Sequence, residues 1–452
     1  MYYLSGDAGF GASDNKDGKN WKNPSETWTE YLAKGYYEKA AAVADKIVFN
    51  DYYFYRMIEA YNGSRTDGGQ LVGSGAYDMF STQAALDAAV KARLATYYQA
   101  ENFYGLILRD EPTYKHFTSY GLVYRAIKKA AAELGMEDIY IHCNLLPMTT
   151  GLSAASTNFD PAYGTTDEET GLTVGLKEAY TSYVTNFITA TGCDRLSVDE
   201  YPFRTAPTNF RIGYYSGLQL LASICEANGV ELTYIMQACG RTTDNPYSAM
   251  TLGDMYLQIY SSLGFGVSNL GFYTFAQGTA NQNDSYCMVD NEGNLNASYT
   301  YVQTVLSEVL AMDDVLLSYE YQGARILNAD KYATQYLDTN VNGYFGFDNA
   351  YAFNQLESVT VAEEDGEPVL VTEGLDEENG LYMYMIQNVI AECYVGESEN
   401  QEDGTVQVTL DFGNTTCVAV YEGGELRYEN ILDGTFTTTL ENGRAIFVIP
   451  LN

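Results

Sequence analysis

The sequence predicts a (β/α)8 TIM-type barrel, its first strand missing or upstream, followed by an antiparallel β-sandwich. Three observations carry this expectation. Short apolar runs alternate with stretches of helical spacing from the N-terminus to about residue 312, and such alternation makes a parallel sheet or barrel. Beyond that point, β-rich segments follow one another between Asx-Gly turns, the pattern of an antiparallel sandwich. At 452 residues the chain is also too long for one ordinary core. It has room for a barrel of about 250 residues or more and a smaller domain. The expected domains are residues 1–312 and 313–452.

Seven strands are expected in the first domain: Tyr2 to Leu4, Lys46 to Asn50, Tyr104 to Arg109, Ile139 to Cys143, Arg195 to Val198, Glu231 to Gln237 and Ser268 to Phe275. Helices are expected between them. Thr82 to Tyr98 is rich in Ala, Leu and Lys. Phe117 to Leu134 has apolar residues at helical spacing and Gly135 as a stop. Tyr180 to Ala190, Gly213 to Ala227 and Leu252 to Leu263 read likewise, and a last helix runs from Ser298 to about Met312. A closed barrel needs eight strands. The first strand therefore lies upstream of Met1, or the barrel is incomplete. The sandwich strands are expected at Val359 to Ala362, Pro368 to Val371, Gly380 to Ile386, Gln407 to Phe412, Thr416 to Tyr421 and Ala445 to Ile449. Turns at Asp365-Gly366, Asn379-Gly380, Asp433-Gly434 and Asn442-Gly443 separate them.

Composition narrows the chemistry. The formal net charge of -36 argues against nucleic acid, which needs a basic patch; its plain reading is solubility. No window approaches the ~18 apolar residues of a membrane span. Met1 to Asp7 lacks the basic and apolar regions of a signal peptide. A signal could have preceded the missing strand, giving an exported or surface protein; otherwise the cytoplasm is expected. The seven cysteines are widely spaced, odd in number and without a Cys-x-x-Cys pair, so neither a disulfide framework nor structural zinc is expected. With only His116 and His142, a three-histidine zinc site is excluded and a Ser-His-Asp triad is not expected. No phosphate loop or dinucleotide fingerprint occurs, and no cofactor is expected. Chemistry then falls to carboxylates.

Two strand ends carry them: Leu108-Arg109-Asp110-Glu111-Pro112 and Val198-Asp199-Glu200-Tyr201-Pro202-Phe203. Pro112 cannot donate to a ladder, so the strand should stop there, with its acids at the barrel's catalytic end. Breaking a glycosidic bond takes two such acids, one protonating the leaving oxygen and the other attacking the sugar or activating water. The 42 tyrosines suit sugar faces where they lie beside strand ends, although ordinary core and surface use explains most of them.

Asp110-Glu111-Pro112 resembles the Asn-Glu-Pro that ends the fourth strand of clan A retaining glycoside hydrolases. Five strand ends in order are similar to those of a looser group of bacterial barrel proteins: Asp110-Glu111-Pro112, Asn144-Leu145-Leu146-Pro147, Asp199-Glu200-Tyr201-Pro202-Phe203, Gln237 and Gly271-Phe272-Tyr273-Thr274-Phe275. The resemblance covers about Asn50 to Met312. It implies that Glu111 is the general acid/base and that Asp110 takes the place of an asparagine that bonds a sugar hydroxyl. It departs at the seventh strand, where clan A has its nucleophilic Glu and this chain has Gln237, which can bind but cannot attack. The second carboxylate is then expected at Asp199, as in barrels resembling the α-galactosidase clan, with Glu200 as the close alternative.

The expected catalytic set is therefore Glu111, Asp199 and Glu200, with Asp110, Asn144, Tyr201, Gln237 and Tyr273 contacting a carbohydrate substrate. Plainer readings stand beside these. Strand-end acids often bind loops or basic side chains such as Arg109 and Arg204. Phe203 and Tyr201 can pack under a loop. His142 reads as a satisfied core histidine, His116 as either core or site, and Arg241 as a surface ion pair or a contact to an acidic sugar. Trp21 and Trp28 suit a loop over the barrel mouth. Two rival functions remain: a non-catalytic glycan-binding barrel, and a metal-dependent hydrolase using Asp110, Glu111 and Asp199.

Overall fold

The computed structural model describes residues 2–4, 41–42, 45–60, 80, 82–150, 158–160, 162, 165–166, 173–205, 210–242, 246, 248–275, 284–290, 292–332, 336, 346–362, 367–395 and 404–451. Trp21, Trp28 and the Asp365-Gly366 turn lie outside them. The chain divides into two compact units. The first holds residues 1–146, 154–164 and 178–197; the second holds 147–153, 165–177 and 198–452.

The first unit is built on a parallel sheet in chain order: β1 (Tyr2–Leu4), β2 (Ile47–Asn50), β3 (Phe103–Ile107) and β4 (Tyr140–His142). Helices α1 (Tyr52–Ala60), α2 (Gln83–Leu94) and α3 (Phe117–Glu133) connect these strands. Ile47, Val48 and Phe49 are wholly buried, as expected of a strand covered on both faces. The Thr82 hydroxyl caps α2 by accepting from Ala85 N at 3.2 Å. Gly135 ends α3 with φ +85°, while Met136 N donates back to Ala131 O. Lys91–Glu133 and Lys129–Asp87 ion pairs link α2 to α3.

Asp51, the first residue after β2, organises this layer. Its Oδ1 accepts from Tyr53 N at the start of α1. Both carboxylate oxygens accept from the Arg93 guanidinium, and Tyr97 Oη donates to Oδ2 at 2.9 Å. Asp51 is completely buried, so this charge persists inside only because it is paired and hydrogen-bonded. A short strand β5 (Asn144–Leu145) and helix α4 (Leu176–Thr191) complete this region, and β6 (Arg195–Glu200) carries the chain from the first unit into the second.

In the second unit, α5 (Tyr214–Asn228) leads to β7 (Glu231–Gln237), whose bounds are those expected from the sequence. A two-residue strand β8 (Gly240–Arg241) and helix α6 (Leu252–Gly264) follow, then β9 (Asn269–Tyr273), β10 (Asp284–Ser285) and α7 (Ala297–Leu310). β7 and β9 pair in parallel with Gln237 opposite Tyr273, and β8 and β10 form a small antiparallel ribbon. A capping box starts α6: Thr251 Oγ1 accepts from Asp254 N, and the Asp254 carboxylate accepts from Thr251 N.

Nine antiparallel strands follow: β11 (Glu320–Leu327), β12 (Ser358–Val361), β13 (Val369–Asp376), β14 (Leu381–Asn388), β15 (Val406–Asp411), β16 (Cys417–Glu422), β17 (Glu425–Asn430), β18 (Thr435–Leu440) and β19 (Ala445–Leu451). They make a six-stranded sheet, β11-β13-β14-β19-β16-β17, and a three-stranded one, β12-β15-β18. Val371, Ile386, Val420 and Val448 from the first sheet share one core with Val408, Leu410 and Phe436 from the second. The β16–β17 hairpin turns on Gly423 and Gly424, with φ +59° and +84°; two positive angles suit the primed turns that match strand twist. β17 is an edge strand, and there Arg427 donates to Glu422 at 2.6 Å and to Glu429 at 2.7 Å.

Strands β11, β17 and β18 were not expected. β17 and β18 are polar, with Glu and Thr at many positions, and Gln322, Gly323 and Arg325 interrupt the apolar residues of β11. Within the second unit, α6 attaches to β14. The wholly buried Gln387 donates to the carbonyls of Tyr256, Leu257 and Gly443 and accepts from Ser261 Oγ at 2.8 Å. Among the described residues, no helix is long and apolar enough to cross a membrane.

Gln387→Ala should lower the stability of the chain by about 2–3 kcal/mol, because it strands buried polar partners without replacing them. Urea unfolding monitored by far-UV circular dichroism measures this, and an unchanged midpoint would refute the role given to Gln387.

Candidate active site

Asp110 and Glu111 follow β3 by a few residues. The strand ends at Ile107, earlier than the expected Arg109, because the backbone turns out of the ladder before Pro112. At Glu111 the turn reaches φ +44°, a left-handed conformation that costs a side-chain-bearing residue about 1–2 kcal/mol. Arg109 Nη1 donates to Glu111 O at 3.0 Å, and contacts from beyond the turn also fix it. Glu111 N donates to Asn144 O at 3.1 Å, and Tyr183 Oη donates to Pro112 O at 2.6 Å while accepting from Leu146 N. Glu111 is half-buried.

Asn144 is the hub of this cluster. Its Nδ2 donates to Asp110 Oδ1 at 3.0 Å, and its Oδ1 accepts from Ser197 Oγ at 2.8 Å. Asp110 keeps solvent-open surface, yet enough protein surrounds its carboxyl that desolvation raises its pKa, against the lowering effects of Asn144 and Arg109. Ser197 has one hydroxyl proton, which goes to Asn144. His142 Nε2, 3.2 Å from Ser197 Oγ, must therefore be the donor in that contact. The neutral ring then accepts at Nδ1 from Tyr140 Oη, 3.0 Å away. Burial lowers the His142 pKa to about 4, consistent with a neutral ring. His142 is the satisfied core histidine that its apolar strand suggested. His116 is also structural: it is buried, and its Nδ1 meets the backbone N and hydroxyl of Thr113.

In the second unit, Asp199 and Glu200 sit at the end of β6, where successive side chains point to opposite faces. Glu200 is buried. Its Oε1 accepts from Arg211 Nη1 and its Oε2 from Thr149 Oγ1, both at 2.7 Å. A carboxylate held on both oxygens anchors the loop after β6. Asp199 faces the other way and keeps part of its surface.

Gln237 differs from its expected role as a sugar ligand. It is wholly buried, and its carboxamide is bonded throughout to the protein's own backbone. Oε1 accepts from Phe203 N; Nε2 lies within bonding distance of the carbonyls of Phe203, Cys239 and Ser248. Gln258 of α6 brackets the same strand end, donating to Gln237 O at 2.6 Å and accepting from Gln237 N at 3.0 Å.

Tyr201 and Tyr273 lie together, ring centroids 5.3 Å apart, each partly exposed. Tyr273 Oη donates to the buried Asp284, which also accepts from Arg241 Nε at 2.8 Å. Arg241 thus takes the plainer of its two readings. Phe203 does too, packing beneath the loop against Phe210. The Tyr273–Thr274 peptide bond is cis. Among the described residues, no group of three or more His, Cys, Asp or Glu side chains is placed to hold a metal ion.

No family model matches the chain, and no curated protein matches it. Solved structures that resemble it include glycoside hydrolases at low identity. A glycoside hydrolase family 5 structure from Bacteroides vulgatus has 9% identity and a TM-score of 0.42, over 82% of this chain and 66% of its own. A glucosidase from Croceicoccus marinus has 12% identity and a TM-score of 0.42, over 100% of this chain and 88% of its own. A family 39 glycoside hydrolase from Bacteroides cellulosilyticus has 13% identity and a TM-score of 0.41, over 95% and 72%. Likeness at this distance transfers no residue role and no substrate.

Two outcomes follow from this geometry. Glu111→Gly should be more stable than Glu111→Ala by about 1 kcal/mol, since only glycine is at ease at that φ; paired urea titrations measure it, and equal midpoints would show that the turn is unstrained. His142 has a folded pKa below its unfolded value, so its neutral state stabilises the fold above about pH 6.5. That contribution, about 3 kcal/mol, is lost as pH falls through about 4. With two histidines in the chain, proton NMR isolates the ring. Its signal should stay unshifted down to about pH 5, and a midpoint near 6.5 would contradict the buried network.

Proposed function

We propose that this protein is a glycoside hydrolase on a TIM-type barrel with a C-terminal β-sandwich, its domains meeting near residue 312. The observation that carries the reading is Glu111. A glutamate held in a left-handed turn at a strand end, where glycine would fit without strain, is a conformation kept for its side chain. In this reading Glu111 protonates the glycosidic oxygen and, where Asp199 acts as nucleophile, afterwards takes a proton from water. Asp199 is the second carboxylate, attacking the sugar or activating water. Glu200 holds the loop through Arg211 and Thr149 instead of reacting. Asp110 and Asn144 bond sugar hydroxyls, and the Tyr201–Tyr273 pair offers a face for the ring. Gln237 is left out of substrate contact because its amide is already bonded.

A second reading, a glycan-binding protein that does not cut, is favoured by one observation. The seventh strand ends in an amide, Gln237, where the resemblance expects an acid.

A panel of aryl glycosides and oligosaccharides tests both. On a responsive substrate, Glu111→Gln and Asp199→Asn should each lose about 100-fold or more of kcat/KM, whereas Glu200→Gln should change it only slightly in protein that remains folded. Full activity in Glu111→Gln would overturn the assignment. Saturable glycan binding by calorimetry without product would favour the second reading.

A further inference from the structure

Two thiols lie side by side in the second unit. Cys239 follows β7 directly, and Cys287 lies two residues beyond β10. The β8–β10 ribbon, with Gly240 opposite Ser285 and Arg241 opposite Asp284, brings their backbones together. Both are wholly buried and form a cluster of their own, with Tyr201 and Tyr273 packed against it. The two thiols share a hydrogen bond. That bond lowers the Cys287 pKa, while the same bond, followed by burial, raises that of Cys239. Asp284 works against ionisation of either thiol, and Arg241 favours it for Cys239. Of the two thiols, Cys287 is the one whose ionisation their shared hydrogen bond favours. By contrast, burial raises the thiols of Cys143 and Cys193.

We propose that Cys239 and Cys287 form an oxidative modification site, a dithiol closed to an intramolecular disulfide by exchange with a small-molecule disulfide. The Cys287 thiolate attacks one sulfur of the reagent, whose S–S bond breaks and releases one thiolate. Cys239, losing its proton, then attacks the mixed disulfide at the Cys287 sulfur and releases the second. The protein loses two electrons and two protons, and the reagent is reduced to two thiols. The bond ties the end of β7 to the far side of the ribbon, directly beneath the two tyrosines. This site stands apart from glycoside hydrolysis and does not depend on it.

The experiment incubates the folded, reduced full chain with excess oxidised glutathione, quenches with acid, then alkylates and maps the peptides under denaturing conditions. The seven thiols should fall to five, with Cys239 and Cys287 in one cross-linked pair. Cys287→Ser should yield no cross-link, and Cys239→Ser should hold the mixed disulfide on Cys287. The oxidised wild-type chain should also melt at a higher temperature than the reduced one, because the bond closes a long loop of the unfolded chain. Seven free thiols in folded protein at saturating reagent, or cross-links routed through the exposed Cys393 instead, would overturn the proposal. The wild-type map decides the matter even if a serine variant fails to fold.

Discussion

Wherever a strand ends and the chain turns away, backbone donors and acceptors lose their ladder partners and must find others. In this protein carboxamide side chains supply them. The Asn144 side chain joins the Asp110 carboxyl to Ser197, while the backbone carbonyl of the same residue accepts from Glu111 N. Gln237 braces the loops after β6 and β7, Gln258 brackets the end of β7, and Gln387 fastens α6 to the antiparallel sheet. Each amide both donates and accepts without carrying charge, so it can be buried at low cost once its partners are in place. Of the strand-end carboxylates, Asp110 is held by one of these amides, whereas Glu200 is held by Arg211 and Thr149.

The same economy accounts for the buried histidine of the first unit. In the first unit a chain of hydrogen bonds runs from Tyr140 through His142 and Ser197 to Asn144 and Asp110. Every proton in it is committed by counting donors, and His142 stays neutral. The strand-end carboxylates differ in their surroundings: Asp110 is desolvated but open, Asp199 is partly exposed, and Glu200 is paired with Arg211. Environment separates acids that the sequence writes side by side.

Much of the fold was legible because periodicity survives where burial is strong. β7 and α3 matched their expected bounds closely, since apolar runs and Gly135 mark their ends without ambiguity. Strands β11, β17 and β18 were not legible: Glu and Thr take many positions of β17 and β18, and Gln322, Gly323 and Arg325 interrupt the apolar residues of β11. Residue types at strand ends showed where the acids lie, but not what they touch. Nothing in Asp199-Glu200 announces that Arg211, eleven residues on, claims the second acid. Nothing in Gln237 shows that its partners are backbone atoms from three separate residues. The positive φ of Glu111 was equally hidden, since only a three-dimensional turn creates it.

The edge strand β17 has a consequence for how copies of this molecule meet. A free strand edge invites a stranger to add itself to the sheet. Here a newcomer would first have to strip water from the linked Glu422, Arg427 and Glu429 side chains. The chain's acidity therefore guards against templated growth at this border as well as keeping whole molecules apart, and crowding should drive it towards repulsion before it drives it towards fibres.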